Sequence, residues 1–165
     1  MAKHVWSVLC ERMLEDPSSK TVSLIDVLEA IVIGAPPPPA GAGRGFIAIP
    51  IRMQLVSFWT RSDESAAEEF NLRASLKLPD GKSVSIPAVK IEFSKSNYRQ
   101  QFAFPTIPYT GPGRYWFRIE GSKDGERWEV AAEIPFEVRL ADPSSPSEAT
   151  APDKPARKRR KKKYA

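Results

Sequence analysis

Hydrophobic side chains recur at every second position along several stretches of this chain. Trp128, Val130, Ala132, Ile134, Phe136, Val138 and Leu140 alternate with Arg127, Glu129, Ala131, Glu133, Pro135, Glu137 and Arg139. Phe70, Leu72, Ala74, Leu76 and Leu78 alternate with Asn71, Arg73, Ser75 and Lys77 in the same way. Tyr115, Phe117 and Ile119 alternate with Trp116, Arg118 and Glu120, and Ile49, Ile51, Met53 and Leu55 form a further row. A period of two turns one set of side chains to a packed face and the other to water, so each stretch predicts a β-strand. Pro50 and Pro135 cannot donate to a ladder, which predicts an edge or a bulge where each sits.

Turn chemistry punctuates the rows. Asp80-Gly81 separates the strand ending at Leu78 from one near Val84–Ile86. Asp124-Gly125 separates the strand ending near Glu120 from the one starting at Arg127. Glycine after Asp supplies the positive φ that a tight hairpin needs. Asp16-Pro17-Ser18-Ser19 marks a looser turn between Val5–Met13 and Val22–Val32. The second of these segments is ambiguous. Leu24, Val27, Leu28, Ile31 and Val32 fit helical spacing, and Ser23 with Asp26 resembles a capping box. Its β-branched content tips the balance to strand. A single helical turn is expected over Ser62–Glu69.

Sequential hairpins without a βαβ rhythm predict an all-β fold. The expectation is an antiparallel two-sheet sandwich of seven to nine strands, immunoglobulin-like or a related Greek key, over residues 1–140. Residues 34–45 (GAPPPPAGAGRG) read as a long connection from one sheet to the other. Residues 141–165 hold almost no large apolar side chain, so a disordered linker and tail are expected there.

Three segments together resemble a family of small, uncharacterised bacterial β-sandwich proteins. They are CERMLEDPSSKTVSLIDVLEAI, LRASLKLPDGKSV and GPGRYWFRIEGSKDGERWEVAAEIPFEV, in that order. The likeness covers about residues 4–140. It implies a β-sandwich and a bacterial source, and it carries no catalytic residues to this chain.

Charge divides the chain unevenly. Of 25 Lys and Arg and 20 Asp and Glu, residues 153–165 hold eight bases and one acid. The body is left with 17 bases and 19 acids, slightly acidic on balance. The candidate polyanion-binding residues are therefore Lys154, Arg157, Lys158, Arg159, Arg160, Lys161, Lys162 and Lys163. Such a run would release counterions from nucleic acid or another polyanion without reading base sequence. The single cysteine, Cys10, allows no intrachain disulfide and suits a reducing compartment. No apolar run approaches the ~18–20 residues of a membrane-spanning helix. No signal peptide is legible at the N-terminus, so a cytoplasmic location is expected.

Catalytic parts are scarce. His4 is the only histidine, and an unbroken strand would hold it roughly 20 Å from Cys10. No His/Cys spacing suggests zinc, and no cofactor is expected. The pairs Asp63–Glu64 and Glu68–Glu69 read as solvated loop charge. Gly41, Gly43 and Gly45 lack the spacing of a phosphate-binding loop. Pro36–Pro39 reads as a stiff polyproline II spacer or a ligand for an aromatic groove. Among the tryptophans, Trp128 is expected in the core. Trp116, on the face of Arg118 and Glu120, is either a binding face with Arg118 or covered by the other sheet. The expected function is a non-enzymatic interaction module tethered by its tail. The alternatives are a ligand-binding or hydrolytic sandwich using an inter-sheet cleft, and a structural subunit of a homo-oligomer.

Overall fold

A computed structural model describes residues 2–34, 46–62, 67–93 and 95–142. Ten strands run in chain order: β1 (Lys3–Glu15), β2 (Val22–Val27), β3 (Ala30–Ile33), β4 (Ile47–Thr60), β5 (Glu68–Lys77), β6 (Ser83–Ser85), β7 (Val89–Phe93), β8 (Asn97–Tyr109), β9 (Gly113–Ser122) and β10 (Glu129–Leu140). One sheet has the order β2-β1-β4-β8. The other has the order β3-β10-β9-β5-β6, with β7 also on β5. The all-β two-sheet sandwich is as expected. The strand count exceeds the expected seven to nine: residues 22–33 form two strands in place of one, and β7 follows the strand expected near Val84–Ile86.

The division lies in the ambiguous segment. It forms strands and no helix, but β2 pairs with β1 while β3 runs parallel to β10 in the opposite sheet. The chain changes sheets at Leu28–Glu29. There Leu28 N–H donates to the Leu9 carbonyl, and Glu137 N–H donates to the Glu29 carbonyl, both at 2.9 Å. The helix-like spacing is the trace of that change: Leu28, Ile31 and Ile33 pack on the core from a second sheet. The added strand β7 pairs with β5, as β6 does. Glu68 and Glu69, expected in a helical turn, open β5 instead.

The alternating rows meet between the sheets. Phe70, Leu72, Ala74 and Leu76 of β5, Tyr115, Phe117 and Ile119 of β9, and Leu9, Leu55 and Trp59 opposite them are all buried. Each such side chain contributes about 1.5–3 kcal/mol on leaving water. Two aromatic chains tie the layers. Trp59, Phe70, Phe93 and Tyr98 follow one another at 5.1, 5.2 and 5.3 Å between rings. Phe104, Phe117, Phe136 and Tyr115 follow at 4.9, 5.7 and 5.3 Å.

The rows hold except at bulges. In β10 the register shifts between Val130 and Ala132. Phe136 and Val138 stay buried, whereas Val130 is half exposed and Trp128 leaves the core. The extra residue of a bulge moves everything beyond it to the other face. This corrects the expectation that Trp128 is core. Pro50 borders the shift in β4, and Pro135 lies where β10 has β9 on one side and β3 has not begun. Both prolines thus occupy the bulge and the edge their missing N–H demands.

Strands β4 and β8 in one sheet and β5, β9 and β10 in the other stand as the B, E and C, F, G strands of an immunoglobulin-like sandwich. A tyrosine corner accompanies that order. Tyr115, at the start of β9, donates its hydroxyl to the Gly111 carbonyl at 2.8 Å and accepts from Thr110 N–H at 3.3 Å. Gly111 and Gly113 turn the chain into β9 with φ of 149° and 139°. The β1–β2 hairpin adds a layer of its own. Beyond Cys10 it parts from β4 and crosses the outer face of its sheet. Met13 N–H donates to Gln54 Oε1 at 2.8 Å, and Glu15 pairs with Arg99 of β8, two strands away, at 3.3 Å. This crossing accounts for the complete burial of Cys10 and Val56 on that outer face.

Tyr115→Phe should cost about 0.5–1.5 kcal/mol, because the half-buried Gly111 carbonyl and Thr110 N–H lose their partner. Urea denaturation with unchanged m checks this, and an unchanged midpoint would contradict it. A second prediction concerns the hairpin tip. The hydroxyl of Ser18 and the backbone N–H groups of Ser18 and Ser19 hold Asp16 at about 2, below the usual carboxylate range. With the folded value below the unfolded ~3.9, its contribution is complete above that value and disappears as pH falls through the folded one. An NMR titration should show Asp16 changing near pH 2 and the tip loosening with it. A midpoint near 4 would contradict the turn.

Candidate functional site

The outer face of the six-stranded sheet is set by the phase of β5, β9 and β10. With Leu76, Phe117 and Ile134 turned inward, Lys77, Trp116 and Pro135 share one outward rung, and Ser75, Arg118 and Glu133 share another. The β5–β6 hairpin brings Ser83 opposite Lys77. The Asp80-Gly81 turn that makes this pairing has Gly81 at φ 85° and Leu78 N–H on the Lys82 carbonyl at 2.8 Å.

These residues surround a shallow depression of about 480 Å³ lined by Ser75, Lys77, Ser83, Trp116, Arg118 and Glu133. Trp116 is half-buried and Arg118 exposed. The two alternatives for Trp116 are thereby separated: it lies on the outer face, away from the opposite sheet, beside Arg118. Arg118 Nε donates to Glu133 Oε1 at 2.9 Å, and its Nη2 lies 2.8 Å from the same oxygen. Sequence reasoning missed Lys77, Ser75 and Ser83. The β5 row and the Pro-Asp-Gly turn carried the signal, since together they fix which residues of β5 and β6 face each other.

Trp128 serves the same face. The Arg73 guanidinium lies 4.1 Å above its ring and grips Glu120 with two hydrogen bonds, Nε–Oε2 at 2.9 Å and Nη2–Oε1 at 3.1 Å. The Arg73 bonds hold the Glu120 carboxyl below its usual range, against the opposing effect of burial. Glu120 is thus a paired structural charge, with none of the raised affinity for protons that acid catalysis needs.

A groove of about 610 Å³ lies on one flank between β1 and β10, under the crossover at Leu28–Glu29. Ser7 lines it and meets His4 Nε2 at 2.7 Å. Burial pushes the His4 pKa down, the Trp6 backbone partly opposing it. Among the described residues no carboxylate meets His4, so the Ser7–His4 contact lacks the third group that would orient a nucleophile–base pair. His4 and Cys10 are not brought together. His4 turns its ring edge to Trp59 at 5.1 Å, and Cys10 lies under the hairpin with its pKa raised by burial. No cluster of three or more His, Cys, Asp or Glu suited to a metal occurs among the described residues. None of their helices is long and apolar enough to cross a membrane. The candidate tail residues Lys154, Arg157, Lys158, Arg159, Arg160, Lys161, Lys162 and Lys163 lie outside the described residues, as do Pro36–Pro39, Gly41, Gly43, Gly45 and Asp63–Glu64.

Cys10 should resist a thiol reagent at neutral pH until the protein unfolds, because it is both covered and held as the thiol. Labelling followed by mass spectrometry checks this; full modification of the folded chain would contradict the hairpin cover.

No protein-family model matches the chain. No curated protein matches it. Among solved structures, it is similar to an immunoglobulin-like protein from Pseudomonas aeruginosa at 11% identity, over 84% of this chain and 97% of that one, with a TM-score of 0.34. A likeness at that level adds nothing to the strand order and the tyrosine corner, on which the fold rests.

Proposed function

We propose that this protein is a non-enzymatic binding module. Its contact surface is the outer face around Trp116 and Arg118, and its basic C-terminal run holds it to nucleic acid or another polyanion. The observation that carries this reading is the depression itself. An aromatic ring and two cationic side chains converge on a face that the core leaves free. The segregated charge supports the tether, since residues 153–165 hold eight bases and one acid while the rest of the chain is slightly acidic on balance. The order of motifs over residues 4–140 supports placing the chain with the bacterial β-sandwich family it resembles, and the lone, buried thiol of Cys10 supports a cytoplasmic location.

A second reading, hydrolysis or ligand binding in the flank groove, is favoured by the 2.7 Å contact of Ser7 with His4. It lacks an acid partner for His4 among the described residues, so the binding-module reading stands ahead of it. A homo-oligomer through the free edge of β8 is a third, and light scattering of the pure chain separates it.

Full-length protein should be retained on an immobilised polyanion at low salt and released as salt rises, whereas a chain ending at Leu140 should pass through. Equal retention of both, or of neither, would remove the tether from the proposal.

A further inference from the structure

We infer that the depression around Trp116 takes a ring compound bearing an oxyanion, either a carboxylated or sulfated sugar or a nucleoside monophosphate. This rests on the reading of that face as the contact surface and names what it contacts.

Hydrogen-bond capacity decides the chemistry. Around the same sheet most bases are matched, Arg73 with Glu120, Lys90 with Glu69, Arg114 and Arg139 with Glu137, and Arg118 with Glu133, whereas Arg127 in the turn before β10 is not, among the described residues. Lys77 has no acid among the described residues. The Trp116 indole N–H and the hydroxyls of Ser75 and Ser83 also have no protein partner there. Two obligate donors, the Lys77 ammonium and the Trp116 indole N–H, and two hydroxyls that can donate therefore line a space whose single carboxylate, Glu133, already holds Arg118. A ligand that satisfies this set is rich in acceptors, and the unmatched ammonium calls for a negative charge.

Shape supplies the second half. Trp116 is half-buried, and its remaining ring surface borders the depression beside Lys77, its neighbour on the same rung. A flat or chair-shaped ring lying on the indole brings an attached oxyanion within reach of Lys77 and the two serines. The volume of about 480 Å³ fits one or two rings and no more. A nucleic-acid backbone is disfavoured here, because beyond Lys77 the arginines of this face are already engaged by Glu133, Glu137 and Glu120. The polyanion contact stays with the tail, and the sheet takes a small anion.

The test is a calorimetric titration of the full chain with three probes: an unsaturated chondroitin sulfate disaccharide, adenosine monophosphate and maltose. One of the two anionic probes should bind and maltose should not; the probe that binds identifies the source. Lys77→Met should weaken that binding at least about tenfold, as expected for a charge-assisted hydrogen bond. Trp116→Ala should abolish it, and Glu133→Gln should preserve it. Lys77 is exposed, so its variant keeps the test open should Trp116→Ala fold poorly. Maltose binding that needs Trp116 would overturn the oxyanion while leaving the face as the contact surface. Binding untouched by either variant, or no binding of any probe, would overturn the inference.

Discussion

The position of β9 between β5 and β10 governs what this sandwich buries and what it shows. A slip of one residue would exchange Tyr115, Phe117 and Ile119 for Trp116, Arg118 and Glu120. The core would then hold two charges, and the outer face would hold three large apolar side chains. Burying a guanidinium and a carboxylate outside a fitted pair costs several kcal/mol each. The observed register instead lets Arg118 meet Glu133 at the surface and lets Arg73 cover and pair the buried Glu120 on the outer face. The same registration stacks Phe117 on Phe136. The tyrosine corner pins its start, since Tyr115 can reach the Gly111 carbonyl only when its ring faces inward. The candidate site is therefore a by-product of core packing: the residues that cannot go in are the ones placed around the depression.

Much of this was legible in the chain. The rows of β5, β9 and the later half of β10 needed only period two. The Asp-Gly turns located two hairpins, and Pro50 and Pro135 marked a bulge and an edge. What escaped has a common physical cause, the change of sheet or face within one continuous apolar run. Residues 22–33 kept their hydrophobicity while moving from one layer to the other, so the period of the sum resembled a helix. Trp128 continued the β10 row in sequence and left it in space, because a bulge at Val130–Ala132 resets the face without changing the pattern. Glu68 and Glu69 look like loop charge, yet β7 pairs with them.

The site was half legible. Trp116 and Arg118 stand out of phase with the β9 row, which marks their shared face; that this face lies away from the opposite sheet is given by the structure. Lys77, Ser75 and Ser83 require knowing that β5 lies beside β9, and β6 beside β5. That is tertiary information, and a single strand's pattern does not contain it. The hairpin that buries Cys10 is of the same kind. Only the meeting of Glu15 with Arg99 across two strands reveals that its end crosses the sheet.

The central claim, that the Trp116 face makes contact, has a direct reporter in the four indole N–H groups. Trp59 and Trp128 already donate theirs within the protein, to Ser57 and to the Gly125 carbonyl. An NMR titration of the full chain with an anionic ring ligand should move the Trp116 indole signal together with the Lys77 and Ser83 amides, and leave Trp59 still. Shifts confined to residues 153–165, or centred on His4 and Ser7, would contradict the account.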